Sequence, residues 1–313
     1  MANYDFDEIV RRVRLDPEDF IGECDRQFEN QVRHAAAHIS NDIAHRHIAL
    51  LSGPSGSGKT TTAKLLQIRL SELGIQSHVI SLDDYYRTVN PDTHPRSSDG
   101  GFDFESPDLL DIPLLARHFA ELADGQEIRV PKFNFTKQAR DEEKARPLCL
   151  ASNEIAIFEG IHALNPLLSG PIGNRAQKLY VSARSNIVRD GNLYFKGTWT
   201  RMIRRLIRDE KFRGTAADYT MTLWANVRQG EKRYISPYKN NTDLKIDSFF
   251  PYETCVLRPF ALPLLETVPH PCLRREEICE IHPRLESFPT LDQRFVAHDA
   301  LLREFIGGGS IVY

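Results

Sequence analysis

The sequence predicts an α/β protein, with a parallel β-sheet flanked by helices. Three observations carry that prediction. Apolar runs at 47–53, 76–84, 153–160 and 177–183 read as short buried strands. Segments with helical spacing lie between and after them, and strands that alternate with helices need crossovers that cover both faces of a parallel sheet. The chain is also long enough to bury a sizeable core, with 313 residues of which 41% are hydrophobic and 27% charged.

Each element has its own signal. Residues 5–46 place Ile9, Val10 and Val13 at helix-like intervals among many charges and carry no catalytic signature. "HIALLSG" (47–53) is an apolar run closed by Gly, and "KTTTAKLLQIRLSELG" (59–74) is a helix that stops at Gly74. The Pro-, Ser- and Gly-rich segment 88–107 reads as a mobile loop. A helix is expected over 107–125, with Pro at its start and Gly at its end. Further helices are expected over 198–213, 215–229 and 253–268, and beyond about 270 a Pro-punctuated stretch turns helical. The expected organisation is a helical segment over 1–46, a core over 47–268 with an Arg-rich helical lid at about 198–214, and a helical extension over 269–313 packed on the core.

Composition narrows the functional classes. No run of eighteen apolar residues occurs and the start, "MANYDFDEIVRRVR", is charged, so neither a membrane span nor a secretory signal is expected. The five cysteines (24, 149, 255, 272, 279) show neither a C-x-x-C pair nor zinc-like spacing, which suits a reducing cytoplasm. A net charge of −3 gives no general case for nucleic-acid binding. The expected partner is a small molecule, with no membrane or nucleic acid; a homo-oligomer is left open.

The strongest motif is "GPSGSGKTT", Gly53 to Thr61, which satisfies G-x-x-x-x-G-K-[ST] between a strand and a helix. Its glycines let backbone N–H groups converge on phosphate oxygens at a helix N-terminus. Gly53, Ser55, Gly56, Ser57, Gly58, Lys59, Thr60 and Thr61 are the expected phosphate-binding residues, with Lys59 on the β- and γ-phosphates and Thr60 on Mg²⁺. ATP and Mg²⁺ are therefore the expected cofactors, on a P-loop NTPase fold.

Ligands of an open α/β sheet sit beyond the carboxyl ends of its strands. "SLDDYYR" puts Asp83 there, where a carboxylate either ligates Mg²⁺, accepts a proton from an attacking hydroxyl or caps a turn; Asp84 reads as structural. "EIAIFEG" ends on Glu159, a Walker-B-type acid for Mg²⁺ or a turn residue before Gly160. "TRMIRRLIRDEKFRG" aligns Arg201, Arg204, Arg205 and Arg208 on one helical face, opposite Met202, Ile203, Leu206 and Ile207. That face suits a lid over triphosphate, where guanidinium groups pair with phosphoryl oxygens.

Taken in order, "GPSGSGKTT", "SLDDYYR", "FDFESPDLLD", "VPKFNFTKQAR", "IFEGIHAL" and "RRLIRDEKFRG" resemble the uridine kinase and phosphoribulokinase family over roughly 47–268. The resemblance implies 5′-phosphorylation of a ribonucleoside, uridine or cytidine first, with Asp83 and Lys59 as catalytic residues. It implies Tyr86 and Phe104 on the substrate side, Glu105 on the ribose hydroxyls, Arg205 near the acceptor sugar, and Arg208 and Arg213 on the donor phosphates. Phe133 and Gln138 stand where uridine kinases present Tyr and His to the base, and Thr222, Leu223 and Trp224 occupy a stretch where those kinases carry a Gln. "VRQGEKRYISPYKNNTDLKIDS" and "LREFIGGGS" look more like a bacterial nucleoside-kinase subgroup. "PKFNFTKQAR" then becomes a candidate wall of the acceptor pocket, with Phe133 and Phe135 as faces and the Gln138 amide pairing with a base edge. Two alternatives stay open: a kinase of another small alcohol, such as a phosphorylated sugar or pantothenate, and an NTP-binding regulatory protein.

Overall fold

Five parallel strands build the central sheet in the computed structural model, which describes residues 2–96, 100–269 and 274–311. They are β1 (Ile48–Ser52), β2 (Gln76–Ser81), β3 (Glu154–Glu159), β4 (Ala176–Ser182) and β5 (Leu244–Asp247), in the spatial order β5-β4-β1-β3-β2. The first four follow the apolar runs. β5 does not, because "LKID" is short and alternates apolar with charged residues. Cys272 and residues 97–99 of the expected loop lie outside the described residues.

Side chains alternate across the strands, and the alternation sorts the core into two layers. Ala49, Leu51, Ile155, Ile157, Leu179 and Val181 face one layer, whereas Ile48, Leu50, Ala156, Phe158 and Tyr180 face the other. The first layer is covered by α1 (Phe6–Leu15), α2 (Pro17–Asn41), α3 (Lys59–Glu72), α5 (Gly197–Arg213), α6 (Ala217–Gly230), α7 (Glu253–Glu266) and α8 (Arg275–Glu286). The second is covered by α4 (Ile112–Ala123) and the helix Pro166–Ile172. Phe6, Phe28, Leu301 and Phe305 are buried in the first layer, so both ends of the chain share the core of the sheet.

One local expectation changes, and one element is new. The helix expected from 107 begins only at Ile112: Pro107–Leu109 forms a single 3₁₀ turn, and Asp111 then caps α4 by accepting from the Leu114 N–H at 3.1 Å. The segment after β4 folds into a hairpin, Asn186–Arg189 against Asn192–Phe195, with Asn3–Asp5 added in parallel. Asp190 and Gly191 at its tip both have positive φ, the signature of a type I′ turn, and the Asp-Gly pair was the available sequence signal for it. "PKFNFTKQAR" is itself a small hairpin, Phe133–Asn134 paired with Ala139–Arg140.

Candidate active site

Register brings the carboxyl ends of the inner strands to one level, since Leu51 and Ser81 both pair with Glu159. The P-loop, Asp83 and Glu159 therefore meet at one edge of the sheet. They line a cleft of about 200 Å³ together with Lys59, Thr60 and Glu105.

The loop itself has no room to spare. A Cβ would lie 2.0 Å from the Val181 carbonyl oxygen at Gly53, 2.6 Å from that of Arg201 at Gly56, and 2.6 Å from Leu301 Cδ1 at Gly58. Gly56 and Gly58 also sit at φ 73° and 78°, where a side chain is strained. Ser55, Gly56, Gly58, Lys59 and Thr60 line the cleft. Ser57 and Thr61 are buried instead: the Ser57 carbonyl accepts from Ser248 Oγ at 2.6 Å, and Thr61 donates to the Glu304 carboxylate.

Three acids crowd Lys59, whose Nζ donates to the Pro54 carbonyl at 3.3 Å. Burial lowers the Lys59 pKa, partly offset by Glu159, Asp83 and Glu304. Burial raises the Asp83 carboxyl above its ordinary range against the pull of Lys59, and it pushes Glu159 up to about 7. The Tyr86 hydroxyl donates to Asp83. Thr60 Oγ1 donates to Glu159 Oε1 at 3.3 Å, so hydroxyl and carboxylate oxygens face the cleft together. Oxygen donors of this kind fit Mg²⁺, which takes one or two carboxylates and fills its remaining positions with water and phosphate oxygens. A dication there would also reverse the electrostatic cost that raises both acids. Asp84 points elsewhere, accepting from the Lys132 ammonium at 3.0 Å and the Phe133 N–H at 3.3 Å.

The arginine stripe on α5 divides, contrary to a single lid-facing row. The P-loop crosses the helix partway along and buries its first half. Arg201 pairs with Glu231 at 2.9 Å and donates to the Ser55 carbonyl at 3.2 Å. Arg204 grips Glu253 in a fork at 2.6 and 2.9 Å and donates to the Gly56 carbonyl at 3.2 Å. Arg205, Arg208 and Arg213 line the cleft, and all three converge on Asp209, at 3.1, 3.0 and 3.3 Å. Arg205 also reaches Ser55 Oγ at 3.1 Å.

On the other side of the cleft stand Tyr86, Phe104 and Glu105. Burial raises the Glu105 carboxyl to about 7 despite Arg205 and Lys59. Phe133 and Phe135 are not among the cleft-lining residues; they pack edge-on to the Tyr86 ring, at centroid distances of 5.7 and 6.4 Å. Gln138 stands apart from the cleft as well. It occupies the hairpin turn at φ 51°, exposed, with its carbonyl accepting from the Val89 N–H at 3.0 Å. Trp224 lies in the core.

The chain's C-terminal part contributes a residue to which the sequence assigned no role, Glu304 of "LREFIGGGS". Glu304 lines the cleft, holds Thr61 and lies 3.9 Å from Arg208. Asp209, Glu231 and Glu253 were likewise given no role, although each is an acid close to or beyond an arginine cluster that needs a counter-charge.

Comparison with known proteins agrees with this geometry. The model of the phosphoribulokinase / uridine kinase family matches residues 48–189. The uridine kinase of Schizosaccharomyces pombe is 34% identical over 114 residues, which are 36% of this chain and 24% of that protein. The uridine kinase of Saccharomyces cerevisiae is 26% identical over 212 residues, 67% of this chain and 38% of that protein. That of Staphylococcus haemolyticus is 26% identical over 205 residues, 65% of this chain and 88% of that protein. The chain thus spans well under half the length of the two yeast relatives. A solved structure of a proposed fructose transport system kinase from Silicibacter sp. TM1040 shares the fold, with TM-score 0.50, 18% identity, and 68% of this chain and 98% of that chain covered. Residues 48–189, a little under half of this chain, are thus similar to the phosphoribulokinase / uridine kinase family.

Proposed function

We propose that this cleft transfers the γ-phosphoryl group of ATP to the 5′-hydroxyl of a ribonucleoside, with uridine or cytidine as the leading acceptor. The observation that carries the reading is the position of Asp83. It is half-buried, bonded by Tyr86, and shares one small cleft with the P-loop lysine and Glu105. The uridine kinase relatives support the choice of acceptor.

In this reading Asp83 takes the proton of the 5′-hydroxyl as that oxygen forms its bond to the γ-phosphorus. The bond from γ-phosphorus to the bridging oxygen breaks, and ADP leaves with the electron pair. Lys59, Arg208 and Arg213 sit where negative charge develops, and positioned cations of this kind are the main catalytic resource in phosphoryl transfer. Thr60 and Glu159 would hold Mg²⁺, which supplies charge neutralisation across the phosphate oxygens. Glu105 would accept hydrogen bonds from the two ribose hydroxyls. Its elevated pKa, near 7, makes that role pH-dependent.

The test is turnover of ATP with a panel of nucleosides and small sugars, for the wild type and Asp83→Asn. The reading expects a nucleoside 5′-monophosphate as product. Asp83→Asn should lose roughly 10²–10⁴-fold in kcat while still binding a non-hydrolysable ATP analogue. Turnover of a non-nucleoside alcohol with no nucleoside accepted would sink it.

A further inference from the structure

The stretch "VRQGEKRY" closes α6 and runs on into a single π-helical turn, Glu231–Ile235. Turns of this kind are rare and occur frequently at functional sites. This one touches both sides of the cleft. Glu231 accepts from Arg201, which donates in turn to the Ser55 carbonyl of the P-loop at 3.2 Å. Gly230 and Tyr234, on either side of it, meet the segment that carries Glu105. We propose that Tyr234 and Gly230 are positioning residues for Glu105, and that they set where the acceptor's ribose hydroxyls are held relative to the phosphate donor.

The inference rests on the reading of Glu105 as the acid that receives the ribose hydroxyls, and it deepens that reading. Glu105 sits in a turn just before Pro107–Leu109, outside any helix or strand that would fix its backbone. Asp103 fixes it instead, because its Oδ1 accepts from the Glu105 N–H at 3.0 Å. The Tyr234 hydroxyl donates to the other oxygen, Asp103 Oδ2, also at 3.0 Å. Held at both oxygens, the carboxylate cannot rotate without losing a charge-assisted bond.

Tyr234 is itself held in place. The buried His162 ring packs edge-on to it at 6.2 Å, the Arg233 guanidinium lies 5.0 Å from its centroid, and Asn165 Nδ2 donates to its carbonyl at 3.5 Å. His162 and Asn165 follow β3, the strand that ends on Glu159, so the support runs from the sheet through Tyr234 and Asp103 to Glu105. Gly230 supplies the second restraint. A Cβ there would lie 2.3 Å from Glu105 Cβ and 2.8 Å from its Cγ, so the Glu105 side chain rests directly on the helix backbone. Gly230 has φ −57°, which any residue adopts, so the site uses its missing side chain and not its backbone freedom. A methyl group at this place would push Glu105 towards the cleft.

The experiment measures kcat and KM of the full chain, with ATP and Mg²⁺, for uridine and 2′-deoxyuridine, in the wild type, Tyr234→Phe, Gly230→Ala and Glu105→Gln. Tyr234→Phe removes one hydroxyl and keeps the ring. It should raise KM for uridine roughly tenfold and narrow the preference over 2′-deoxyuridine by a similar factor, with KM for ATP and the melting temperature nearly unmoved. Gly230→Ala should act in the same direction, and neither change should add to Glu105→Gln, because a misplaced carboxylate and an absent one lose the same contact. A wild-type preference in Tyr234→Phe, or an equal change in the Glu105→Gln background, overturns the positioning role and leaves the kinase reading standing. If Glu105→Gln alone keeps the wild-type preference, Glu105 does not hold the ribose, and the inference falls with that assignment. A wild type that phosphorylates neither compound nor any other nucleoside would instead remove the nucleoside reading itself.

Discussion

The two halves of α5 use the same residue type for opposite purposes. Arg201 and Arg204 are buried, each locked to one carboxylate and to a P-loop carbonyl. Arg205, Arg208 and Arg213 share Asp209 and face the cleft. The first pair has its charge balanced within the protein and shapes the loop from behind. The second set carries three guanidinium charges against Asp209 and the more distant Glu304, 3.9 Å from Arg208, so it keeps charge for an anionic ligand. An arginine in this helix therefore belongs to the scaffold or to the chemistry according to whether an acid of its own lies within hydrogen-bonding distance.

The sharpest way to break that comparison is at Arg204. Its side chain and that of Glu253 are both 0% exposed, so Arg204→Ala strands a buried carboxylate. A loss of about 3–5 kcal/mol is expected, read from urea denaturation. The double variant Arg204→Met/Glu253→Leu should recover most of it, because an apolar pair needs no counter-charge. Recovery of nothing would mean that the bond to the Gly56 carbonyl, not the ion pair, is what counts.

Arg208→Ala makes the complementary case. Its guanidinium lines the cleft and its loss leaves Asp209 still held by Arg205 and Arg213. The denaturation midpoint should hardly move, while kcat should fall about 10²–10³-fold, the size expected for a group that stabilises developing charge. A variant that unfolds readily but retains kcat would erase the distinction between the two sets.

The sequence announced the sheet, the P-loop and the strand-end acids because each depends on local pattern: an apolar run, a glycine spacing, an acid after a strand. It did not announce which arginines are buried. Arg201, Arg204, Arg205 and Arg208 lie on one stripe, and only the tertiary crossing of the P-loop over α5 divides them. Glu231, Glu253 and Glu304 lie 30, 49 and 243 residues from their partners Arg201, Arg204 and Thr61, beyond the reach of any periodicity. The helix start at Ile112 was legible in principle, since Asp111 followed by Pro113 is a capping pattern as good as Ser106 followed by Pro107.

The acids of the cleft extend the comparison to pH. Glu159 rises from an ordinary value of 4.5 to about 7 because it is buried without a full counter-charge. The folded state then binds the proton more tightly than the unfolded chain, so stability falls as pH rises from about 4.5 to 7 and levels off above. The loss from this group is roughly 2–4 kcal/mol. Thermal melts of the ligand-free chain should show that decline, and Glu159→Gln should make it shallower, leaving the share that Glu105 contributes. Mg²⁺ with an ATP analogue should flatten it too, by supplying the missing positive charge.

Glu304 offers a smaller effect of the same origin. Its carboxylate lies beside the proposed triphosphate path, on Thr61 and near Arg208. Glu304→Gln keeps a hydrogen-bond acceptor for Thr61 and removes one negative charge, so tripolyphosphate should bind about fivefold more tightly. Weaker binding would show that the carboxylate is needed to hold the helix start in shape.

The smallest effect is expected where sequence pattern pointed most directly at base recognition. Gln138 occupies the position of a base reader in the resemblance, yet its backbone sits at φ 51° in an exposed hairpin turn. That conformation commits the residue to turning the chain. Tyr86, Phe104 and Glu105 line the cleft directly, and Phe133 and Phe135 meet that wall only at the edge of Tyr86. Gln138→Ala should therefore shift the ratio of kcat/KM between uridine, cytidine and purine nucleosides by less than about twofold. Phe104→Ala, which removes an aromatic face from the cleft, should lower kcat/KM for all of them several-fold more. A large change in the ratio for Gln138→Ala would mean that the hairpin folds inward over a bound nucleoside, and base discrimination would then arise on closure rather than from the standing walls of the cleft.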